Sequence, residues 1–382
     1  MPSLGPVLLH LLCLSTAAAR PSRRLLERQT RSLPDYAISY APYTYLASTE
    51  SWFPSDVTTH LQNTIPEVNG APIGSVGSAT LANLNGFGTN MSLTAPNMAI
   101  KPSNQPAWLT SEYGKPSGGL SAAPATLVAV QKNATTVDVF YFFFYSYNYG
   151  GNVLQFLNFD DHVGDWEHVM IRFVDSKPYA VYLSQHGAGS AYFYSVLEKN
   201  GQRPVTYVAH GGHANYATAG TQEYTIAAGL ITDTTDKGFA WDPALNYRGY
   251  WYDPASKTFT SAGGAGTGGA EQATETATWL NWLGQWGDAQ YPNGQNGQYC
   301  LFSECHYAAG PTGPVDKNLG RAAVCENESK CTIFNNIDDL TEQTKRRREA
   351  VMCGSGVDEC AALVHLLAEK AEQGEDEYTV EL

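Results

Sequence analysis

Charge is scarce in this 382-residue chain: Asp, Glu, Lys and Arg together make up 16% of it, against about a quarter of an average soluble protein. Bases are scarcer than acids, 23 against 37, and the formal charge is −14. A surface of that sign excludes nucleic acid and anionic membrane as purely electrostatic partners. Beyond the leader Met1–Ala19 no stretch approaches the length of a membrane-spanning apolar run, so the sequence predicts no transmembrane anchor once that leader is removed. His-Glu-x-x-His, Gly-x-x-x-x-Gly-Lys-Ser/Thr, Gly-x-Ser-x-Gly and the dinucleotide-binding glycine pattern are all missing, which removes the commonest sequence routes to a zinc protease, a nucleotide hydrolase, a serine hydrolase or a dehydrogenase. Helical periodicity is also scarce between Asp35 and Arg321.

What is present reads as export. Met1–Ala19 has a short apolar core, Leu8 to Leu14, followed by Ala17-Ala18-Ala19, the layout of a signal peptide, although no base precedes the core. Residues 20–31 then carry five Arg and one Glu, a basic leader running to about residue 35. Of seven cysteines, Cys13 falls in the signal. The other six, Cys300, Cys305, Cys325, Cys331, Cys353 and Cys360, lie near the C-terminus. An even set in a secreted chain predicts disulfides, with 15 pairings open. Sequons at Asn90, Asn133 and Asn327 predict glycosylation on a lumenal or extracellular surface. Arg23-Arg24 and Lys345–Arg348 read equally as dibasic cleavage sites or as solvated charge.

With 36 Gly, 20 Pro and 12% aromatics, the body is rich in turns and rings. Val137–Tyr149 is β-branched and aromatic throughout, a strand buried on both faces. Glu167–Val174, Pro178–His186 and Pro204–His210 read as further strands. Residues 262–269 read as a flexible glycine loop, Glu271–Trp286 as an amphipathic helix, and Val357–Ala371 as a second helix before an acidic tail. The expected fold is mainly β, a two-sheet β-sandwich of jelly-roll type with few helices and a small disulfide-bearing helical C-terminal extension. The expected division is a signal over 1–19, a leader over 20–35, a β domain over 36–320 and a Cys-bearing tail over 321–382.

The densest polar cluster is Asp160-Asp161-His162-Val-Gly-Asp165-Trp166-Glu167-His168. On a strand, period two puts Asp165 and Glu167 on one face and Trp166 and His168 on the other. Five of the nine histidines fall within residues 162–213. Two carboxylates with imidazoles such as His162, His186 and His213 suit a divalent transition metal of unknown identity. The same residues would serve equally as turn caps. No catalytic nucleophile or base can be assigned a partner, so binding is expected ahead of catalysis, and metal-assisted hydrolysis is the enzyme reading that stays open.

Gly164-Asp165-Trp166-Glu167-His168, Ser184-Gln185-His186, Val208-Ala209-His210-Gly211-Gly212-His213-Ala214, Trp241-Asp242, Trp286-Gly287-Asp288 and Gly310-Pro311-Thr312-Gly313-Pro314 follow one another in order. That series resembles the fungal family of vacuolar protein sorting-associated protein 62, over about residues 36–320. The resemblance implies the secretory pathway or vacuolar lumen and a role in delivering proteins to the vacuole by binding; a protein, glycan or membrane ligand is expected separately, the glycan or membrane surface belonging to the effector alternative. Asp161–Glu167 is also similar to the Gly-His-Arg-His-Asp-Trp-Glu stretch of secreted necrosis-inducing cytolysins, departing from it at three of seven positions. Those proteins hold a divalent metal in a β-sandwich. That similarity implies Asp165 and Glu167 as ligands with His162 or His186 nearby, in a metal-dependent effector or hydrolase as the alternative function.

Overall fold

The computed structural model describes residues 31–96, 105–153, 157–186, 188–223, 232–301 and 304–339. The fold is carried by β1 (Tyr43–Leu46), β2 (Ala125–Gln131), β3 (Thr136–Asn148), β4 (His162–Val174), β5 (Lys177–Gln185), β6 (Ala188–Phe193), β7 (Arg203–Val208), β8 (Phe239–Trp241), β9 (Tyr247–Asp253), β10 (Thr258–Ala265) and β11 (Ile333–Phe334). Eight of these form one sheet in the order β10-β9-β2-β3-β4-β5-β6-β11. A second sheet places β1 between β7, its parallel neighbour, and antiparallel β8. The short strands Lys199–Asn200 and Asn215–Tyr216 flank β7.

The aromatic run Val137–Tyr149 lies at the middle of the large sheet as β3, and every residue from Val137 to Asn148 is buried. Its alternation divides the core. Tyr141 and Phe143 face the second sheet, together with Leu127, Val169, Ile171 and Leu183, and meet Leu46, Val208 and Trp241. Phe140, Phe142 and Phe144 face the other way with Trp166 and Met170. There they meet helix Val57–Asn63 and the indoles of Trp279, Trp282 and Trp286. The mainly β, two-sheet architecture therefore holds for one face of the large sheet, while the other face is covered by turns, a short helix and tryptophan.

The segment Glu271–Trp286 is not one helix. A helix over Gly266–Gln272 is followed by a 3₁₀ turn at Ala277–Asn281. The β-branched Thr274, Thr276 and Thr278 weaken helix in this stretch, and the indoles reach the core from irregular backbone. The glycine stretch 262–269 is ordered rather than a loop, ending β10 and opening that helix. Gly264 is needed for close approach, because a Cβ there would collide with the Tyr247 carbonyl.

Cys300–Cys305 and Cys325–Cys331 are disulfide-bonded, each closing a short local loop. Cys353, Cys360, the expected helix Val357–Ala371, Lys345–Arg348 and residues 1–30 lie outside the described residues, but the end of the leader is docked: Leu33 is buried in the core and Arg31 lies over the Trp251 ring. The chain beyond Arg321 continues on the same body: Val324 and Cys325 enter the core, and β11 adds to the sheet edge beside β6. Arg172 on β4 fixes this segment. It grips Asp138 on β3 through two hydrogen bonds of 2.7 and 2.8 Å and also donates to the carbonyls of Ala322 and Ala323. No helix among the described residues is long and apolar enough to cross a membrane.

Candidate functional site

Asp165 and Glu167 share the face of β4 that looks toward the second sheet, opposite Tyr145 and Phe143 of β3. Trp166 and His168 point into the other core, where His168 packs against Phe140, Phe142 and Tyr182. The alternation expected from the sequence is the one observed. Both carboxylates are buried, and an unpaired carboxylate there would be costly.

His213 supplies the partner for Asp165. The turn after β7 brings it in with a left-handed backbone, φ 54°. Its Nδ1 lies 2.9 Å from Asp165 Oδ2 and its Nε2 lies 3.0 Å from the Trp52 carbonyl. Both neighbours only accept, so both ring nitrogens must donate, which makes the ring an imidazolium. Burial alone would lower its pKa, but the bond to Asp165 and the charges of Glu50 and Asp165 carry it upward. The Tyr145 ring stacks on it at 3.6 Å. Glu50 holds the same turn from behind, accepting the backbone N–H of Ser51, Trp52 and Gly211.

Glu167 accepts a hydrogen bond from the Ser184 hydroxyl, which itself accepts the His168 N–H at 2.8 Å. Burial first, then the neighbouring Asp165, raise its pKa to about 8. His186, just beyond β5, bonds through Nε2 to Asp233 Oδ2 at 2.8 Å. Burial lowers its pKa, but Asp233 outweighs burial and lifts it to about 9. Tyr216 donates to the same Asp233 oxygen at 2.6 Å. His162 is bonded by Nδ1 to the Gly164 carbonyl at 2.7 Å and lines a separate pocket. The structure thus joins Asp165 with His213, keeps Glu167 beside them, and sends His186 to Asp233. Among the described residues no three of His, Cys, Asp and Glu are placed to share one metal ion.

Glu50, Trp52, Tyr145 and Asp233 act in this cluster and were not singled out as its members from the sequence. Trp241-Asp242 finds its reason here as well: Asp242 takes both Arg203 nitrogens at 2.5 Å and caps the turn after β8 by accepting the Ala244 N–H. Asn90, Asn133 and Asn327 are all exposed. Asn133 sits in the hairpin turn between β2 and β3, its Oδ1 accepting from Thr135 and Thr136.

These groups predict a pH dependence of stability. Burial raises Asp161 to about 7 and Asp288 to about 6, beside Glu167 and His186 above. A group whose folded pKa lies above its unfolded value contributes stability that is present at low pH and lost as pH rises through the folded value. His60, lowered to about 4 by burial, and His168, lowered by burial and by Arg321, act in the opposite sense. Their contribution is lost as pH falls below the ordinary histidine value. Between pH 8 and pH 6 the raised groups prevail, and the folded state should gain on the order of 2 kcal/mol. Denaturant unfolding at the two pH values checks this; equal or lower stability at pH 6 would contradict it.

A family model described as "Vacuolar protein sorting-associated protein 62" matches residues 9–290. Two relatives from Saccharomyces cerevisiae are similar along most of the chain. "Putative vacuolar protein sorting-associated protein TDA6" is 32% identical over 339 residues, covering 79% of this chain and 70% of its own. "Vacuolar protein sorting-associated protein 62" is 31% identical over 331 residues, covering 78% and 69%. Among solved structures, Necrosis and Ethylene inducing Protein 2 from the causal agent of cocoa's Witches Broom disease is 13% identical with a TM-score of 0.26, covering 50% of this chain and 70% of that one. A likeness at that score carries no argument about this chain.

Proposed function

Because the chain belongs to the family of vacuolar protein sorting-associated protein 62, we propose that it serves the delivery of proteins to the vacuole as a lumenal binding module and not as an enzyme. One observation carries the second half of this reading: Asp165 and Asp242 of the motif series, and Asp233 outside it, each have a basic side chain as partner. Asp165 is bonded to His213, Asp233 to His186 and Asp242 to Arg203. Arg203–Asp242 lies at the start of β7 and Asp165–His213 beyond its end, so the pairs fix connecting segments at both ends of the second sheet. A general base would need a lone pair free for substrate, and His213 has none. The two local disulfides and the exposed sequons support a lumenal setting.

The test uses a Saccharomyces cerevisiae strain lacking both similar proteins. Loss of the pair should raise the fraction of a soluble vacuolar hydrolase that escapes to the medium, and expression of this chain should bring that fraction down. An unchanged fraction in the double deletion, or no recovery with folded protein in the lumen, would end the proposal.

A further inference from the structure

We propose that the pocket between the start of β4 and the Trp286–Asp288 segment binds a primary ammonium group. The inference is independent of the vacuolar reading. Tyr147, Asp161, His162, Asp288, Tyr291 and Tyr307 line about 20 Å³ of space, room for a head group the size of a water molecule.

The walls are rich in acceptors. Asp288 is only 8% exposed. Its Oδ1 accepts from the Thr94 hydroxyl and, at 3.3 Å, from the Ala95 N–H. Among the described residues Oδ2 has no hydrogen bond from any other residue, and only Asp288's own N–H lies near the carboxylate. His162 donates Nδ1–H to the Gly164 carbonyl, so Nε2 is an acceptor whenever the ring is neutral. Asp161 accepts from the Tyr147 hydroxyl at 2.9 Å and the Gly150 N–H at 3.1 Å, with the Asn158 side chain a further hydrogen-bonding neighbour. A carboxylate offers about four acceptor sites, so capacity remains. Tyr291 and Tyr307, edge to face at 5.6 Å, add aromatic surface, and among the described residues no Lys or Arg lines the space.

A ligand matching these walls must donate several hydrogen bonds, carry positive charge and tolerate π faces. An alkylammonium does all three. An anion would meet two carboxyl groups. A bare divalent ion would need its ligands closer together than Asp161, His162 and Asp288 stand, since they form no metal-sized group.

Two sources share this chemistry, a lysine side chain of another protein and a free small amine. Calorimetric titration with Nα-acetyl-lysine amide and with 1,5-diaminopentane separates them. Binding of both points to protein lysine, and binding of the diamine alone points to a small amine. The Nζ-acetylated lysine amide should give no saturable heat. Asp288→Asn keeps the acceptor toward Thr94 and Ala95 but turns a donor into the pocket, and should weaken binding by about tenfold or more. Tyr307→Leu removes one π face and should weaken it by about two- to fivefold, which keeps the test open if the Asp288 variant folds poorly. The inference is overturned if neither amine binds saturably, if both variants bind like the parent, or if calcium alone saturates the pocket.

Discussion

Replacing His213 with Ala should destabilise the folded protein by about 3–5 kcal/mol, the usual cost of breaking a buried ion pair from one side. The ring is fully buried between the carboxylate of Asp165 and the carbonyl of Trp52. Its removal leaves Asp165 without a counter-charge in a region that already holds the buried side chains of Glu50 and Glu167. The stack on Tyr145 is lost as well, worth about 0.5–1.5 kcal/mol for an aromatic pair. Asp165→Asn should also be costly, because the amide oxygen can still accept from Nδ1 but the buried imidazolium then loses its counter-charge. Guanidinium unfolding of the two single variants and the double variant gives the coupling directly. A double variant no worse than His213→Ala alone is the expected result, and strictly additive losses would mean that the two side chains do not act as a pair. The same measurement addresses the metal reading. If Asp165 and Glu167 held a divalent ion, a chelator would lower the stability of the parent protein and leave Asp165→Asn unmoved.

The strand that carries this pair was legible in the sequence, and the pair itself was not. Period two along Asp165–His168 is a local property of an extended chain, so the faces could be assigned without a partner strand. The burial of Val137–Asn148 on both sides likewise follows from its own composition. That His213 comes to Asp165 depends on the path of the chain from β5 through β7 and on a left-handed residue after it, and no spacing encodes that path. A count of histidines and acids therefore found the right neighbourhood but could not tell a satisfied ion pair from a ligand set. The tryptophans of 279–286 misled for a related reason. Their spacing suits a helix face, yet what they fill is an irregular gap against Phe144 and Trp166. His60 gave no local signal at all. It is buried with one ring nitrogen at the Trp286 carbonyl and the other at Ser146.

That Trp286 carbonyl belongs to the backbone junction where the second large effect is expected. Gly287 and Gly310 face each other with main chain against main chain, and Val163 at the start of β4 closes the third side. A Cβ added at Gly287 would fall inside the Val163 carbonyl oxygen and close to Gly310 Cα, while one added at Gly310 would fall on the Gly287 backbone. None of these obstacles is the far end of a flexible side chain, so relief requires moving strand backbone. The Gly310 N–H bond to the Asp288 carbonyl at 2.9 Å and the Trp286 N–H bond to the Pro311 carbonyl at 2.8 Å would both be strained. Overpacking in a core costs about 1–3 kcal/mol where side chains can yield. Against backbone on two sides, Gly287→Ala should exceed that range, at about 4 kcal/mol or more, near the limit that point changes reach. Gly86→Ala is the matched control, because a Cβ there meets nothing within 4 Å and its φ is ordinary; it should leave stability within about 0.5 kcal/mol. Thermal unfolding of the two variants separates the cases. A Gly287→Ala protein as stable as its control would show that β4 and the Trp286–Asp288 segment can part without cost. Where they do part, Asp288 moves with them, so any folded Gly287→Ala protein should also lose amine affinity as Asp288→Asn does.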